Sequence, residues 1–97
     1  MKTKEEIIKQ YKEIEHSLAD ILYGAGSICK NYMAFDFYPA VLSLALEEKR
    51  FTEAERIADR LLMIMESLAV GRFQHGSIYV LRDIYKDIKK INNNIER

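Results

Sequence analysis

The sequence predicts an all-α fold, a small antiparallel four-helix bundle built from two helical hairpins. Apolar residues recur at alternating intervals of three and four over long stretches, which is the spacing of one face of a helix. Short segments with helix start and stop signals separate these stretches. Alternation of apolar and polar residues, which is typical of strands, is absent at useful length. With 97 residues the chain is expected to form one domain, residues 1–97.

The first helix is predicted over residues 4–28. Two glycines, Gly24 and Gly26, lie near its end, and each costs a helix interior about 1 kcal/mol relative to alanine. The prediction therefore leaves open whether the helix bends, frays or ends there. Its expected core positions are Ile7, Tyr11, Ile14, Leu18, Ile21, Ala25 and Ile28.

The second helix is predicted over residues 37–49, and its body is almost entirely apolar. Asp36 is the expected N-cap, since a carboxylate accepts hydrogen bonds from the free N–H groups of a first turn. Pro39 falls in that first turn, where its missing N–H costs nothing.

The third helix is predicted over residues 53–70. Thr52 is its expected N-cap, and Glu55 lies three residues on, as in a capping box. Gly71 is the expected stop signal. The expected core positions are Ala54, Ala58, Leu61, Met65 and Leu68.

The fourth helix is predicted over residues 77–93. Its expected core positions are Leu81, Ile84, Ile88, Ile91 and Ile95. The opposite side carries charges of both signs at helical spacing, namely Arg82, Asp83, Lys86, Asp87, Lys89 and Lys90.

The second and third helices have more apolar surface than a lone four-helix bundle can cover. Residues 61–65 are apolar all the way round, as is most of the second helix, and such helices belong in buried places. Because a two-fold contact matches a patch with itself, we expect a homodimer or larger oligomer; the alternative is a patch that binds a foreign partner. The expected oligomer interface comprises Val41, Leu42, Leu46, Leu62, Met63 and Val70.

The charge balance and the cysteine content indicate which partners and which cellular compartment to expect. Lys plus Arg equals Asp plus Glu at 15 each, so nucleic acid is an unlikely partner. Residues 67–97 carry a net charge of +3, from six cations and three anions, which favours an acidic partner. The single cysteine fits a reducing compartment. We expect a cytoplasmic protein, because neither a signal peptide nor an apolar run of membrane-spanning length is found.

Residues with catalytic or metal-binding potential are few. Glu13 and His16 have the spacing of di-iron bundle ligands, but the first helix's apolar positions place them towards solvent, and no second such pair exists. Cys29 has no histidine near it in sequence, and free cysteine is commonly a small buried hydrophobe. Neither a Ser/His/Asp set nor a buried carboxylate pair is found. We therefore predict no metal, no cofactor and no enzymatic activity.

Two partial resemblances concern the middle of the chain. The segment LALEEKRFTEAERIADRLL resembles the hairpin turn of tetratricopeptide repeats over about twenty residues, but no second copy occurs at a 34-residue period. The length, the four-helix layout and residues 49–72 also resemble small bacteriocin-immunity bundles. Neither resemblance includes a specific motif, so membership of neither family is predicted.

The leading functional hypothesis is a non-catalytic interaction protein that binds a macromolecular partner, of inhibitor, immunity or regulatory type. The segment YGAGSICKNYMAFDFYP holds five of the ten aromatic residues, and aromatic side chains dominate binding hot spots. These aromatics either plug one end of the bundle or form the contact surface. The expected partner-binding residues are Tyr32, Phe35, Phe37 and Tyr38.

The alternative hypothesis is an oligomer that binds a nucleotide or another small anion in pockets between subunits. Tyr32 or Tyr38 would stack on the ligand, and the charge of the ligand would be met by Lys30, Arg72 or His75. The segment GRFQHGS precedes a helix start, where backbone N–H groups bind anions. An enzyme with its site at an oligomer interface is a third possibility.

Overall fold

The computed structural model confirms the all-α prediction. It describes residues 2–28, 35, 37–71 and 76–95, and within these residues the chain forms four helices and no strand. Side chains at 25–28, 68–71 and 95 lie outside this description. The helices are α1 (Lys4–Ile28), α2 (Tyr38–Glu47), α3 (Phe51–Gly71) and α4 (Gly76–Ile95).

The four helices pack in a square, with each helix against two neighbours. The contacting pairs are α1 with α2, α2 with α3, α3 with α4, and α1 with α4. Consecutive helices run antiparallel: the Tyr11 hydroxyl donates to the Pro39 carbonyl at 2.5 Å, and Lys49 lies 3.1 Å from Glu5. The particle measures 44 × 21 × 21 Å, which fits a bundle whose longest helix, at 25 residues, is about 37 Å long.

Helix α1 begins with a cap that the sequence reading missed. The Thr3 hydroxyl accepts from the Glu6 backbone N–H at 3.1 Å, while the Glu6 carboxylate accepts from the Thr3 N–H at 3.2 Å. This reciprocal capping box follows from the T-x-x-E spacing. The helix continues through both glycines to Ile28, so the glycines do not end it.

The buried side of α1 follows the prediction for three turns and then shifts by one residue. Ile7, Tyr11, Ile14 and Leu18 are buried as predicted, but Leu22 is fully buried where Ile21 was expected. A straight helix drifts by about 20° per heptad against a strict seven-residue repeat, so the buried position advances along the helix. The predicted positions Ala25 and Ile28 lie outside the described side chains.

The turn between α2 and α3 differs from the prediction. Helix α3 begins at Phe51, so Thr52 lies within the first turn, and the predicted Thr52–Glu55 capping box is wrong. The turn is a Schellman motif, in which the Arg50 N–H donates to Ala45 O at 2.9 Å and the Lys49 N–H to Leu46 O at 3.0 Å. Lys49 takes the left-handed conformation, φ 58°, that glycine usually supplies.

The N-cap position of helix α2 holds an aromatic residue. This residue is Phe37, which makes no side-chain cap hydrogen bond, and Pro39 lies in the first turn as predicted. The predicted cap, Asp36, lies outside the described residues. The start of α2 is instead held by the hydrogen bond from Tyr11 to the Pro39 carbonyl.

Helices α3 and α4 each bury at least five apolar side chains in the core. The predicted positions Ala54, Ala58, Leu61 and Met65 of α3 and Leu81, Ile84, Ile88 and Ile91 of α4 are buried, while Leu68 and Ile95 lie outside the described side chains. Asn92 is also buried, although it is polar. Its side-chain amide donates to the Phe51 carbonyl and to the Glu55 carboxylate, both at 2.9 Å. The amide thereby fastens the end of α4 to the start of α3.

Candidate interaction surface

Helix α2 has apolar side chains on its outer side as well as on its core side. Leu42, Ala45 and Leu46 are buried. On the outer side, Phe37 is 51% exposed, Val41 37% and Leu44 52%. Positions spaced by four and three lie along one side of a helix, so Phe37, Val41 and Leu44 form a continuous surface, here called the α2 stripe.

Three residues of the predicted oligomer interface lie inside the bundle. Leu42, Leu46 and Leu62 are 0%, 1% and 8% exposed, so the chain itself covers them, and the prediction is corrected at these positions. Leu42 and Leu46 are one turn apart on the core side of α2, and Leu62 adjoins Leu61 on the core side of α3. Val41 and Met63 remain exposed, and Val70 lies outside the described side chains.

The predicted aromatic contact surface is divided between core and solvent. Phe35 and Tyr38 are half-buried and pack against the core, with ring centroids 6.0 Å apart. Phe37 stacks on Tyr38 at 4.5 Å and is the more exposed ring. Tyr32 lies outside the described residues. Phe35 and Tyr38 therefore serve mainly to close the bundle, while Phe37 faces outward.

Ser43, on the other side of α2, binds Lys12 of α1, so the α2 stripe lies on the side nearer to α3. Glu66 of α3 binds Arg82 of α4, so the opposite side of α3, which carries Ile57 and Ile64, faces α2. Ile57 and Ile64 are both partly exposed while packing against the core. The side of α3 nearest to the α2 stripe thus also carries apolar side chains.

A second exposed surface lies where α3 meets α4. Met63 is 63% exposed and Tyr79 53%. Arg82 donates to one oxygen of Glu66 through Nε at 3.2 Å and Nη2 at 2.9 Å, and its guanidinium lies 5.4 Å from the centre of the Tyr79 ring. Since α3 and α4 are antiparallel, Met63 and Tyr79 flank this ion pair on either side. Met63, Tyr79 and Arg82 are here called the α3–α4 patch.

Sequence reading missed Tyr79 and Arg82 as surface candidates. Arg82 was expected among the exposed charges of the fourth helix, but nothing in one chain specifies which α3 residues lie beside it. The only local signal is the interval of three residues between Tyr79 and Arg82, which brings an arginine over a ring on the same side of a helix.

The residues predicted to hold a small anion, Lys30, Arg72 and His75, lie outside the described residues. A shallow depression of about 310 Å³ lies at the α2–α3 turn beside Lys49, Arg50 and Asn92. Its cations already have partners: Lys49 lies 3.1 Å from Glu5, and Arg50 lies 2.7 Å from Glu48. The depression therefore offers an anion little unbalanced positive charge.

The titratable side chains with perturbed pKa values tie α1 to its neighbours. Burial raises the pKa of the Tyr11 hydroxyl. The pKa of Lys12 is raised chiefly by its hydrogen bond to Glu47, and Lys12 Nζ also donates to the Ser43 hydroxyl at 2.5 Å. The pKa of Glu5 is lowered, first by a backbone hydrogen bond and then by Lys49. These groups hold helices together, and none of them lines the α2 stripe or the α3–α4 patch.

The described residues contain little that resembles a reactive or metal-binding centre. Among them, no group of three or more His, Cys, Asp or Glu side chains is placed to hold a metal ion. Glu13 and His16 are exposed, and His16 lies 3.3 Å from Asp20 across one turn. Cys29 lies outside the described residues.

Comparison of the chain with protein-family models, with curated proteins and with solved structures finds no match. Among the described helices, none combines the length and the apolar character needed to cross a bilayer. The α2 stripe and the α3–α4 patch are thus the features from which a function can be inferred.

Proposed function

We propose that the chain is a small non-catalytic interaction protein, of inhibitor, immunity or regulatory type, which acts in the cytoplasm by binding a macromolecular partner and itself forms a homo-oligomer. The observation that carries this proposal is the exposure of large apolar and aromatic side chains on two faces of a bundle whose core is already filled. Surface side chains of this kind, grouped rather than scattered, mark interaction sites.

The α3–α4 patch suits a foreign protein. Tyrosine, arginine and methionine are enriched in protein–protein interfaces, and tyrosine and arginine are frequent hot-spot residues. Here Glu66 fixes the guanidinium of Arg82 beside the Tyr79 ring. Because the ion pair and the ring contact already restrict the Arg82 side chain, binding costs that side chain less rotamer entropy.

The charges beside the patch favour an acidic partner surface. Lys86 and Lys89 are exposed and lie on the same side of α4 as Arg82, and Lys89 lies 5.3 Å from the centre of the Tyr85 ring. Within the described residues neither lysine forms an ion pair. An approaching acidic protein would gain long-range attraction that salt screens.

The proposal is tested by placing a photo-crosslinking amino acid at Tyr79 in cells and, as a control, at Tyr23. Tyr23 is an equally large and even more exposed ring, 77% exposed, on α1. We expect one adduct of defined mass from position 79 and not from position 23. The captured protein, once purified, should bind the wild type, bind less tightly at higher salt, and bind Tyr79→Ala at least about tenfold more weakly. Identical adducts from both positions would overturn the proposal.

The small-anion alternative predicts a different result. A nucleotide or other anion present at 100 times its dissociation constant would stabilise the fold by about 2.7 kcal/mol, which a thermal-shift assay detects. A reproducible stabilisation that is lost when Lys30, Arg72 or His75 is replaced by alanine would favour that alternative. We expect no stabilisation across a nucleotide panel.

A further inference from the structure

The two methionines of helix α3 differ completely in their exposure to solvent. Met63 is 63% exposed, whereas Met65, only two residues further along, is 0% exposed. Residues two apart lie on nearly opposite sides of a helix, so Met65 packs in the core while Met63 lies in the α3–α4 patch. An oxidant dissolved in water therefore reaches the side chain of Met63 and is excluded from that of Met65.

Oxidation of a methionine changes its polarity through a reversible reaction. The sulfur lone pair attacks one oxygen of a peroxide, the O–O bond breaks, and an S–O bond forms. The sulfur is oxidised by two electrons, and hydrogen peroxide is reduced to water. The product, a sulfoxide, is polar where the thioether was apolar. Methionine sulfoxide reductases reverse the step with a dithiol, which becomes a disulfide while the oxygen leaves as water.

The position of Met63 gives such an oxygen atom two effects on the α3–α4 patch. It replaces an apolar contact by a polar one at the edge of the surface. Met63 and Glu66 are also neighbours one turn apart, and Glu66 holds the guanidinium of Arg82 through Nε and Nη2. The sulfoxide oxygen competes with Glu66 for this guanidinium, which lies 5.4 Å from the centre of the Tyr79 ring.

We propose that Met63 is a site of reversible oxidation and that its sulfoxide weakens partner binding at the α3–α4 patch. This inference rests on the proposed function, because it concerns the regulation of the same surface. The exposed position of Met63 also means that the oxidised chain keeps its fold, whereas oxidation of Met65 would place a polar group in the core.

The first experiment locates the oxidation on the purified chain. The folded protein is treated with hydrogen peroxide, and the tryptic peptide of residues 61–72 is sequenced by tandem mass spectrometry. We expect Met63 to be oxidised at least about tenfold faster than Met65. In concentrated urea the two should react at similar rates. Equal rates in the folded chain would overturn the proposal.

The second experiment asks whether the fold survives. A chain oxidised at Met63 alone should keep its helical circular dichroism spectrum and the midpoint of its urea unfolding curve. A spectrum that reports loss of helix would overturn the proposal, because weaker binding would then follow from unfolding rather than from a changed surface.

The third experiment measures binding to the protein that the cross-linker at Tyr79 captures. Wild type and Met63→Leu are each compared before and after peroxide treatment, and the partner is added once the peroxide has been removed. Met63→Leu is the matched control, since leucine has a similar volume and cannot form a sulfoxide.

Oxidised wild type should bind this partner at least about fivefold more weakly, and treatment with a methionine sulfoxide reductase should restore the affinity. Met63→Leu should bind equally well before and after peroxide. Undiminished binding by fully oxidised wild type, or an equal loss in Met63→Leu, would contradict the role of Met63.

The two proposals fail in distinguishable ways. If position 79 captures no partner, the proposed function fails and the inference about Met63 falls with it. If a partner is captured and oxidised wild type binds it as tightly as untreated wild type, only the inference about Met63 is refuted.

Discussion

Helices α2 and α4 differ in how their sequences divide core from solvent. Helix α4 is 20 residues long and buries Ile78, Leu81, Ile84, Ile88 and Ile91 while its other side is charged. Helix α2 is 10 residues long and also carries apolar side chains on its outer side, where Val41 and Leu44 are exposed. Apolar spacing therefore identifies the buried side of a helix only where polar residues mark the opposite side.

This difference accounts for the accuracy of the core assignment in each helix. In α4, the charged positions fixed the orientation, and the predicted core residues Leu81, Ile84, Ile88 and Ile91 are buried. In α2, Leu42 and Leu44 have the same chemistry, and only the packing of α1 and α3 decides that Leu42 faces inward. Substitutions within α2, within α4 and at the two ends of α2 test this contrast.

The largest effect is expected between the two sides of α2 itself. Leu42→Ala should lower the free energy of unfolding by about 2–5 kcal/mol, because Leu42 is fully buried and its loss leaves a cavity. Leu44→Ala removes the same atoms from a side chain that is 52% exposed and should cost less than about 0.5 kcal/mol in the monomer. Urea unfolding at low protein concentration measures both. Equal losses would contradict the orientation of α2.

The next effect concerns the one buried side-chain amide of α4. Asn92→Ala removes the donor to the Phe51 carbonyl and the Glu55 carboxylate and should cost about 1–3 kcal/mol. The neighbouring Asn93 is exposed, so Asn93→Ala is the matched control and should change the free energy of unfolding by less than about 0.5 kcal/mol. Similar costs for the two variants would mean that the amide does not fasten α4 to α3.

A third prediction tests the hydrogen bond that holds the start of α2. Tyr11→Phe removes the donor to the Pro39 carbonyl and should cost about 1 kcal/mol near pH 7. Burial raises the folded-state pKa of Tyr11, so the wild type loses stability as pH rises above about 10, where the unfolded tyrosine ionises.

One pH unit above that value, ionisation of Tyr11 in the unfolded state lowers the free energy of unfolding of the wild type by about 1.4 kcal/mol. The Tyr11→Phe variant does not undergo this loss. The stability order of the two proteins should therefore reverse, or nearly so, at about pH 11. Unfolding curves at both pH values check this expectation, and a difference that stays constant would show that the hydroxyl is not buried in the folded state.

The smallest effect concerns the end of α2. Lys49→Gly should raise the free energy of unfolding by about 0.5–1 kcal/mol, because Lys49 occupies a left-handed conformation, φ 58°, that disfavours side chains. Lys49→Ala also removes the exposed contact to Glu5 but keeps the strain, so it should give no gain. Thermal unfolding of the two variants and the wild type separates these contributions. A gain from alanine as large as that from glycine would contradict the conformational explanation.

Much of the fold could be predicted because helical spacing and helix breaks are local in sequence. The turn after α2 could not be predicted, because a Schellman motif without glycine has no marker in the sequence. Thr52 instead matched the more familiar pattern of a helix N-cap. The burial of Leu22 follows from helix drift, which strict seven-residue counting omits. The α3–α4 patch escaped prediction because the pairing of Glu66 with Arg82 depends on the register between two helices, which no local pattern in a single chain encodes.

The square order of the helices also bears on how the chain folds. Three of the four contacting pairs join helices that are consecutive in sequence, whereas α1 meets α4 across two intervening helices. Closing a longer loop costs more entropy, so we expect the hairpins to form before α1 docks on α4. Substitutions in that last seam, such as Asp87→Ala, which removes a contact to Lys2 at 3.6 Å, should then accelerate unfolding and leave the folding rate nearly unchanged. We therefore expect the lifetime of the folded chain to depend mainly on the contact between its first helix and its last.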